Sequence, residues 1–415
     1  MPTPSAPPSS PAARRSTGIW AAILAGGVIM GLALGIRHVQ GLFLLPVTMD
    51  RGWSRETFGL ALAVQNLTWG AVQPIAGMIA DRFGSARVVA GGLAFYALGL
   101  VVMAQATTPP VFVLGAGICI GVALAGTAFG AIYGAISRLV SPDRRSWALG
   151  LAGAIAGLGQ FAMVPAAQVM IGAWAWTGAL LALAATMALL LPLVRPLRDR
   201  PGAGQPAASA NSMSAAIGEA FGHRGFWLLN LGFVACGFQL AFIATHLPAY
   251  LLDRGLPPEE AVAALAIIAL ANVAGTYLFG LWGGYVRRKY LLSVLYLLRA
   301  AAIALFVLLP LTSWSLHAFA AAMGFLWLGT LPLTNGLISQ VFGVRYIATL
   351  FGFVFLGHQL GSFLGVWLGG HVFEATGSYD AVWLGAVALG VLAAAVHWPI
   401  DDRALVRPGG RLAPA

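Results

Sequence analysis

A chain of 415 residues that is 59% hydrophobic and 9% charged, with a mean hydropathy of +0.85, is not a soluble domain, where about a quarter of residues carry charge. Its formal charge of +10 would suit a nucleic-acid partner only if the basic residues formed one patch, and they do not; its two cysteines, Cys119 and Cys236, lie in apolar stretches without disulfide or zinc-ligand spacing. The partner that fits this composition is the lipid bilayer.

Residues 1–17 are rich in Pro, Ser and Ala and predict a disordered tail, with Arg14 and Arg15 near its end. A span takes roughly 20 apolar residues. Such stretches follow at about 18–45, 57–80, 86–106, 110–138, 146–172, 174–194, 226–252, 260–286, 289–310, 314–343, 347–371 and 379–399, twelve in all. The first is too long for a signal peptide, and its basic flank fits a retained anchor. Between the sixth and seventh, residues 196–225 read PLRDRPGAGQPAASANSMSAAIGEAFGHRG, with no run able to span. This predicts a cytoplasmic linker over 197–223 between two six-helix bundles, 18–196 and 224–399, with a cytoplasmic tail at 400–415. Transporters built from two such halves hold substrate near the midplane, where the halves meet.

With the N-terminus inside, 18 of the 23 basic residues fall in cytoplasmic segments, whereas Arg51, Arg55 and Arg254 lie outside. That bias places both termini in the cytoplasm. The preference for Arg over a single Lys, Lys289, is the usage of a GC-rich genome and suggests a multi-pass protein of a bacterial inner membrane.

Between the second and third stretches the chain reads GMIADRFGSARV, Gly77 to Val88. This resembles the GxxxDRxGxxR signature of the major facilitator superfamily, with Gly77 for close helix approach, Gly84 for the turn, and Asp81, Arg82 and Arg87 as charges of a cytoplasmic hairpin. They are read as gating residues that do not touch substrate. In the second half, GLWGGYVRRKY, Gly280 to Tyr290, keeps the first glycine and the basic cluster but has Gly284 where the acid would be. The resemblance covers the whole chain and implies an all-α polytopic fold of twelve transmembrane helices in two pseudo-symmetric six-helix bundles. Glycines at four-residue spacing, Gly357, Gly361, Gly365 and Gly369 in the eleventh stretch and Gly153 and Gly157 in the fifth, suit either static close packing or halves that rock past each other.

All thirteen acids fall in loops, tails or helix ends, so no carboxylate is expected inside the membrane. Arg37, His38, His246, Arg299 and His358 do fall inside, and an ionisable group at depth marks a functional site by default. Cations without internal counter-ions need an anion from elsewhere, and the simplest source is the substrate; guanidinium suits a carboxylate because its planar fork stays charged. Each position also has a structural reading. Arg37 could reach the headgroups, His38 points about 100° away from it, and Arg299 could bind backbone carbonyls between helices.

The run Gly41–Gly84, with Gly52, Trp53 and Ser54, the polar Gln65 and Asn66, and the Gln73-Pro74 kink, looks like the monocarboxylate-transporter-like branch, which includes oxalate/formate antiporters. Animal members have a basic residue six positions before a phenylalanine on helix 1, and Arg37 stands six before Phe43. The antiporters use an arginine on helix 8 and a lysine on helix 11. ALANVAGTYLFG, Ala269 to Gly280, resembles the helix 8 motif with Thr276 at the arginine, and LFGFVFLGHQLG, Leu350 to Gly361, puts His358 at the lysine. Asn272 stands where the animal proteins have an aspartate. These departures imply a single carboxylate bound by Arg37, Asn272, Thr276, His358 and Gln359, with Gln65, Asn66, His246 and Arg299 as secondary candidates.

The expected function is secondary active transport of a small organic anion, a monocarboxylate first of all, by alternating access. It would run as a monomer coupled to protons or to a counter-anion; the proton would ride on a histidine, His358 being best placed. The alternative is export of a hydrophobic drug-like compound. No metal-ligand pair shares a helix face and no nucleophile lies beside a base, so neither enzyme, metal nor cofactor is expected.

Overall fold

In lipid every backbone amide must find its partner inside its own segment, so apolar runs of this length fold as helices. The computed structural model describes residues 11–53, 55–199 and 212–405, and among these no strand occurs. The expected N-terminal tail falls outside them as far as residue 10, and so do part of the linker, 200–211, and most of the C-terminal tail, 406–415.

The first half consists of α1 (Pro11–His38), α2 (Arg55–Phe83), α3 (Ser85–Gln105) and α4 (Pro109–Leu139), followed by one long helical run, Arg145–Leu189. That run breaks at Trp174 and Ala175, the latter with φ 53°, and we call the parts before and after the break α5 and α6. A 3-10 turn, Val39–Phe43, and a short helix, Leu44–Arg51, join α1 to α2, and α4 contains a π-helical stretch at Leu114–Cys119. The second half consists of α7 (Arg224–Asp253), α8 (Pro258–Trp282), α9 (Arg288–Leu308), α10 (Ser313–Phe342, interrupted at 326–329), α11 (Ile347–Thr376) and α12 (Asp380–His397). Among the described residues ten helical stretches pass as membrane spans by length and hydropathy, because α5 and α6 run together and α2, diluted by Gln65, Asn66, Gln73 and Pro74, is not among them. The linker also holds a helix, Met213–Gly222, capped by Ser212 Oγ accepting from the Ala215 amide at 3.2 Å.

Within the halves, α1 packs on α5, α7 on α11 and α9 on α12; between them, α2 packs on α11 and α5 on α8. The glycine stripe of α11 is a packing face inside one half. Gly357, Gly361 and Gly365 lie against Asn230, Val234 and Phe238 of α7, so this stripe is not the surface on which the halves would slide. The α5 glycines do face the other half: Gly150 meets Gly280, Gly153 meets Thr276 and Gly157 meets Val273. Both seams run from the end that carries the termini up to Asn66 and Gln359 on one side and Gly157 and Asn272 on the other. Beyond that level α1 and α7 are not packed closely on each other among the described residues. Among those residues the halves are therefore closed at the terminus-bearing end and parted at the opposite one.

Candidate functional site

Arg37 stands in the last turn of α1 and turns its guanidinium onto α2. Nη2 donates to Asn66 Oδ1 at 2.6 Å, and Cζ lies 5.2 Å from the centre of the Trp69 ring. Asn66 is held for this by donating its own amide to Leu62 O at 3.1 Å. Arg37 Nε is buried with no hydrogen-bond partner among the described residues, so a fork is oriented and one of its donors is unspent. Across the seam, Gln359 Nε2 approaches Asn66 O at 3.4 Å, and a ring nitrogen of His358 lies 3.3 Å from Gln359 Oε1. His358 stacks on Phe355 with ring centres 5.1 Å apart, and Phe355 lies 4.8 Å from Trp69.

Four expected residues, Arg37, Asn66, His358 and Gln359, thus form one connected group at the level where the halves part. Trp69 and Phe355, which complete it, carry no sequence signal beyond lying one helical turn from Asn66 and His358 (i+3 and i−3). Gln73, also missed, accepts from Trp69 Nε1 at 2.8 Å and donates to Ala125 O at 3.2 Å, fixing the indole.

The other candidates are placed differently. Asn272 and Thr276 lie in the α5–α8 seam and bond each other at 2.9 Å, while Asn272 Oδ1 also accepts the Leu328 amide at 3.0 Å, filling the interruption of α10. Both are buried and neither belongs to the Arg37 group, because Thr276 faces Gly153 of α5. Gln65 faces α4 and donates to Ala116 O at 2.6 Å within the π-helical stretch. His246 bonds Val366 O at 2.9 Å. Arg299 is fully buried and donates to the carbonyls of Leu326 and Trp327, the structural reading of that residue. His38 is exposed.

At the closed end the hairpin motif works through partners its pattern does not contain. Asp81 accepts from Arg138 Nη1 of α4 at 2.7 Å and from the Thr349 amide and hydroxyl at 2.7 and 2.8 Å, so it caps α11 from the opposite half. Arg138 also pairs with Asp199 at 2.5 Å, and Asp199 accepts from the Ser85 amide and hydroxyl. Arg82 and Arg87 are exposed, and Arg82 lies over its neighbour Phe83. The hairpin acid thus pairs with α4 and not with its neighbour Arg82, since the residue after Asp81 points about 100° around the helix. Gly77 lets α2 touch the Ala348 carbonyl, and Gly84 takes a φ of 97°. In the second half, Arg287 bonds Asp402 and holds its carboxyl below the usual range, tying the first residues of the C-terminal tail to α9.

Comparison with known proteins follows this geometry. A sequence model described as Major Facilitator Superfamily matches residues 23–366. Human monocarboxylate transporter 11 is 32% identical over 386 residues, covering 88% of this chain and 79% of that protein. The oxalate:formate antiporter of Oxalobacter formigenes is 24% identical, covering 87% of each. Among solved structures, the transporter FucP in its outward conformation superposes with TM-score 0.72 at 16% identity, covering 91% of this chain and 97% of that one. The proton:xylose symporter XylE gives 0.70 at 15%, covering 95% and 98%. These likenesses are to the fold and to a branch of relatives.

Proposed function

The chain belongs to the major facilitator superfamily, and within its monocarboxylate-transporter-like branch we propose that it moves a small organic anion, most simply a monocarboxylate, by alternating access. The observation that supports this is Arg37: a guanidinium oriented by Asn66 and Trp69, beside the parting of the halves, with a donor unspent and no carboxylate in contact among the described residues. A substrate carboxylate would complete its fork and would be reached from the other half by His358 and Gln359. With both termini in the cytoplasm, as the charge bias favours, the closed end faces inward and the site stands open to the outside of a bacterial inner membrane. Asn272 and Thr276 then serve the seam instead of the substrate.

The test is uptake of labelled carboxylates into proteoliposomes. Removing a charge-assisted hydrogen bond of this kind costs about 1.5–3 kcal/mol. Arg37→Gln should therefore lower kcat/KM roughly 10- to 150-fold, with folded protein still in the membrane. Arg37→Lys keeps the charge without the fork and should fall between. Wild-type uptake by Arg37→Gln would overturn the assignment. Accumulation driven by an inward pH gradient identifies proton symport, and its absence alongside efficient counterflow identifies anion exchange.

A further inference from the structure

The two halves end alike. Beyond α6 the chain reads PLRDR, Pro196 to Arg200, and beyond α12 it reads PIDDR, Pro399 to Arg403. Leu197 and Ile400 are both buried, the first beside Gly26 of α1 and the second beside Gly225 of α7. The aspartate two residues on then binds the third and fourth helices of its own half. Asp199 accepts from Ser85, the first residue of α3, and from Arg138 in the last turn of α4. Asp402 accepts from Nε of Arg287, the residue before α9, at 3.0 Å, and its carbonyl accepts from Gln340 Nε2 in the last turn of α10 at 2.8 Å.

The second copy reaches further. Lys289 Nζ of α9 donates to Ile400 O at 2.7 Å, and the Leu405 amide donates to Val341 O of α10 at 3.0 Å, so residues 400–405 lie across the ends of α9 and α10. Gln340 Oε1 in turn accepts from Arg288 Nη1 at 2.5 Å, and Arg288 Nε donates to Ser146 Oγ of α5 at 2.8 Å. A Cβ on Gly336 of α10 would lie 2.6 Å from that Nε, so the arginine is confined where it stands. A line of hydrogen bonds thus runs from Asp402 through α10 and α9 into the opposite half. The hairpin between α8 and α9 has Gly284 in place of an acid, and the carboxylate that its basic run meets is Asp402.

We propose that residues 400–405 form a strap that regulates the closed end. Seated, the strap commits the Gln340 amide nitrogen to the Asp402 carbonyl and so turns the amide oxygen to Arg288, which is held on Ser146 across the α5–α8 seam. Holding long side chains in single rotamers costs conformational entropy, and each fixed member of the line lowers that cost for the next. With the strap lifted, Gln340 and Arg288 regain their freedom and the halves lose the one polar crossing of this seam among the described residues, so this end opens more readily. No substrate enters the argument, which stands apart from the anion reading above.

The experiment uses the full chain in lipid nanodiscs, with Cys119→Ala and Cys236→Ala so that spin labels attach only at introduced cysteines. Lys289→Met/Asp402→Asn/Leu405→Pro frees the strap at three points, the last because proline has no N–H to give Val341. A label at Arg403→Cys should pass from immobile to mobile. Distances between labels at the terminus-bearing ends of α5 and α8 should gain a longer component, the closed population falling roughly 5- to 30-fold relative to the open one. Ser146→Ala should give the same shift, and the two together no more than either alone, because both cut one line. A strap that stays immobile, a mobile strap with unchanged distances, or two shifts that add would each overturn the proposal. If the triple variant does not fold, Gln340→Ala cuts the line at its middle with the strap residues intact. It should produce the same longer component, and an unchanged distribution there overturns the proposal equally.

Discussion

Where α2 meets α11, the halves are joined by a buried carboxylate that caps one helix and pairs with another; where α5 meets α8, they are joined by backbones that touch through Gly150 and Gly280. The first seam is electrostatic. Asp81 satisfies amides at the start of α11 that would otherwise need water, so its contribution exists only while this end is closed. The second seam is steric, and its one polar crossing among the described residues is Arg288 of α9 to Ser146 Oγ at 2.8 Å. The sequence difference behind this is the acid at position 81 and Gly284 at the matching place. A closure made of a directed charge on one side and a smooth contact on the other can be unlatched at the first while the second acts as the surface that turns.

The comparison breaks most severely at Asp81. Asp81→Asn leaves Arg138 with Asp199 alone and weakens the cap of α11. It should disfavour the closed end by about 2–3 kcal/mol, roughly 30- to 150-fold in population. Distances between spin labels at the terminus-bearing ends of the two halves read that shift; an unchanged distribution would refute the latch.

A methyl group sharpens the other side. At Gly150 a Cβ would lie 2.7 Å from Gly280 Cα and 3.0 Å from Thr276 O, and backbone cannot yield as a side chain does. Gly150→Ala is expected to cost the closed state about 1–3 kcal/mol and to slow turnover without changing which anions compete for uptake. A changed substrate profile would show that this seam touches the ligand.

The smallest effect belongs to Asp402. Its folded pKa lies below the ordinary carboxylate value because Arg287 hydrogen-bonds to it. The stability it adds is therefore present above an aspartate's ordinary pKa of about 3.9 and is lost as pH falls through the lowered value. Since Arg287 is half exposed, the gain is held under about 1 kcal/mol. Asp402→Asn should flatten that acid limb of a thermal-denaturation profile and leave the neutral one almost unmoved.

The all-helical membrane fold was legible because lipid imposes length and polarity directly on the sequence. Partners across helices were not. Arg82 adjoins Asp81 in the motif, yet Arg138, 57 residues on, makes the ion pair, and nothing local to either residue announces that. Thr276 aligns with a cation-bearing position, which places it among the expected ligands of the carboxylate. Buried against Gly153, it has no room for arginine, and Thr276→Arg would part the seam before it offered a charge to substrate. The glycine stripes showed where backbones approach but not which helix approaches.

The π-helical stretch of α4 has a consequence for anyone comparing this chain with its relatives. Leu114–Cys119 winds one residue more into its turn than an α-helix would, and Gln65 takes up the Ala116 carbonyl there. The turns that follow, as far as the second break of this helix at Ala128, are thereby rotated by about 100° relative to an uninterrupted helix. An ungapped comparison of these turns with an uninterrupted helix therefore pairs residues that face different neighbours.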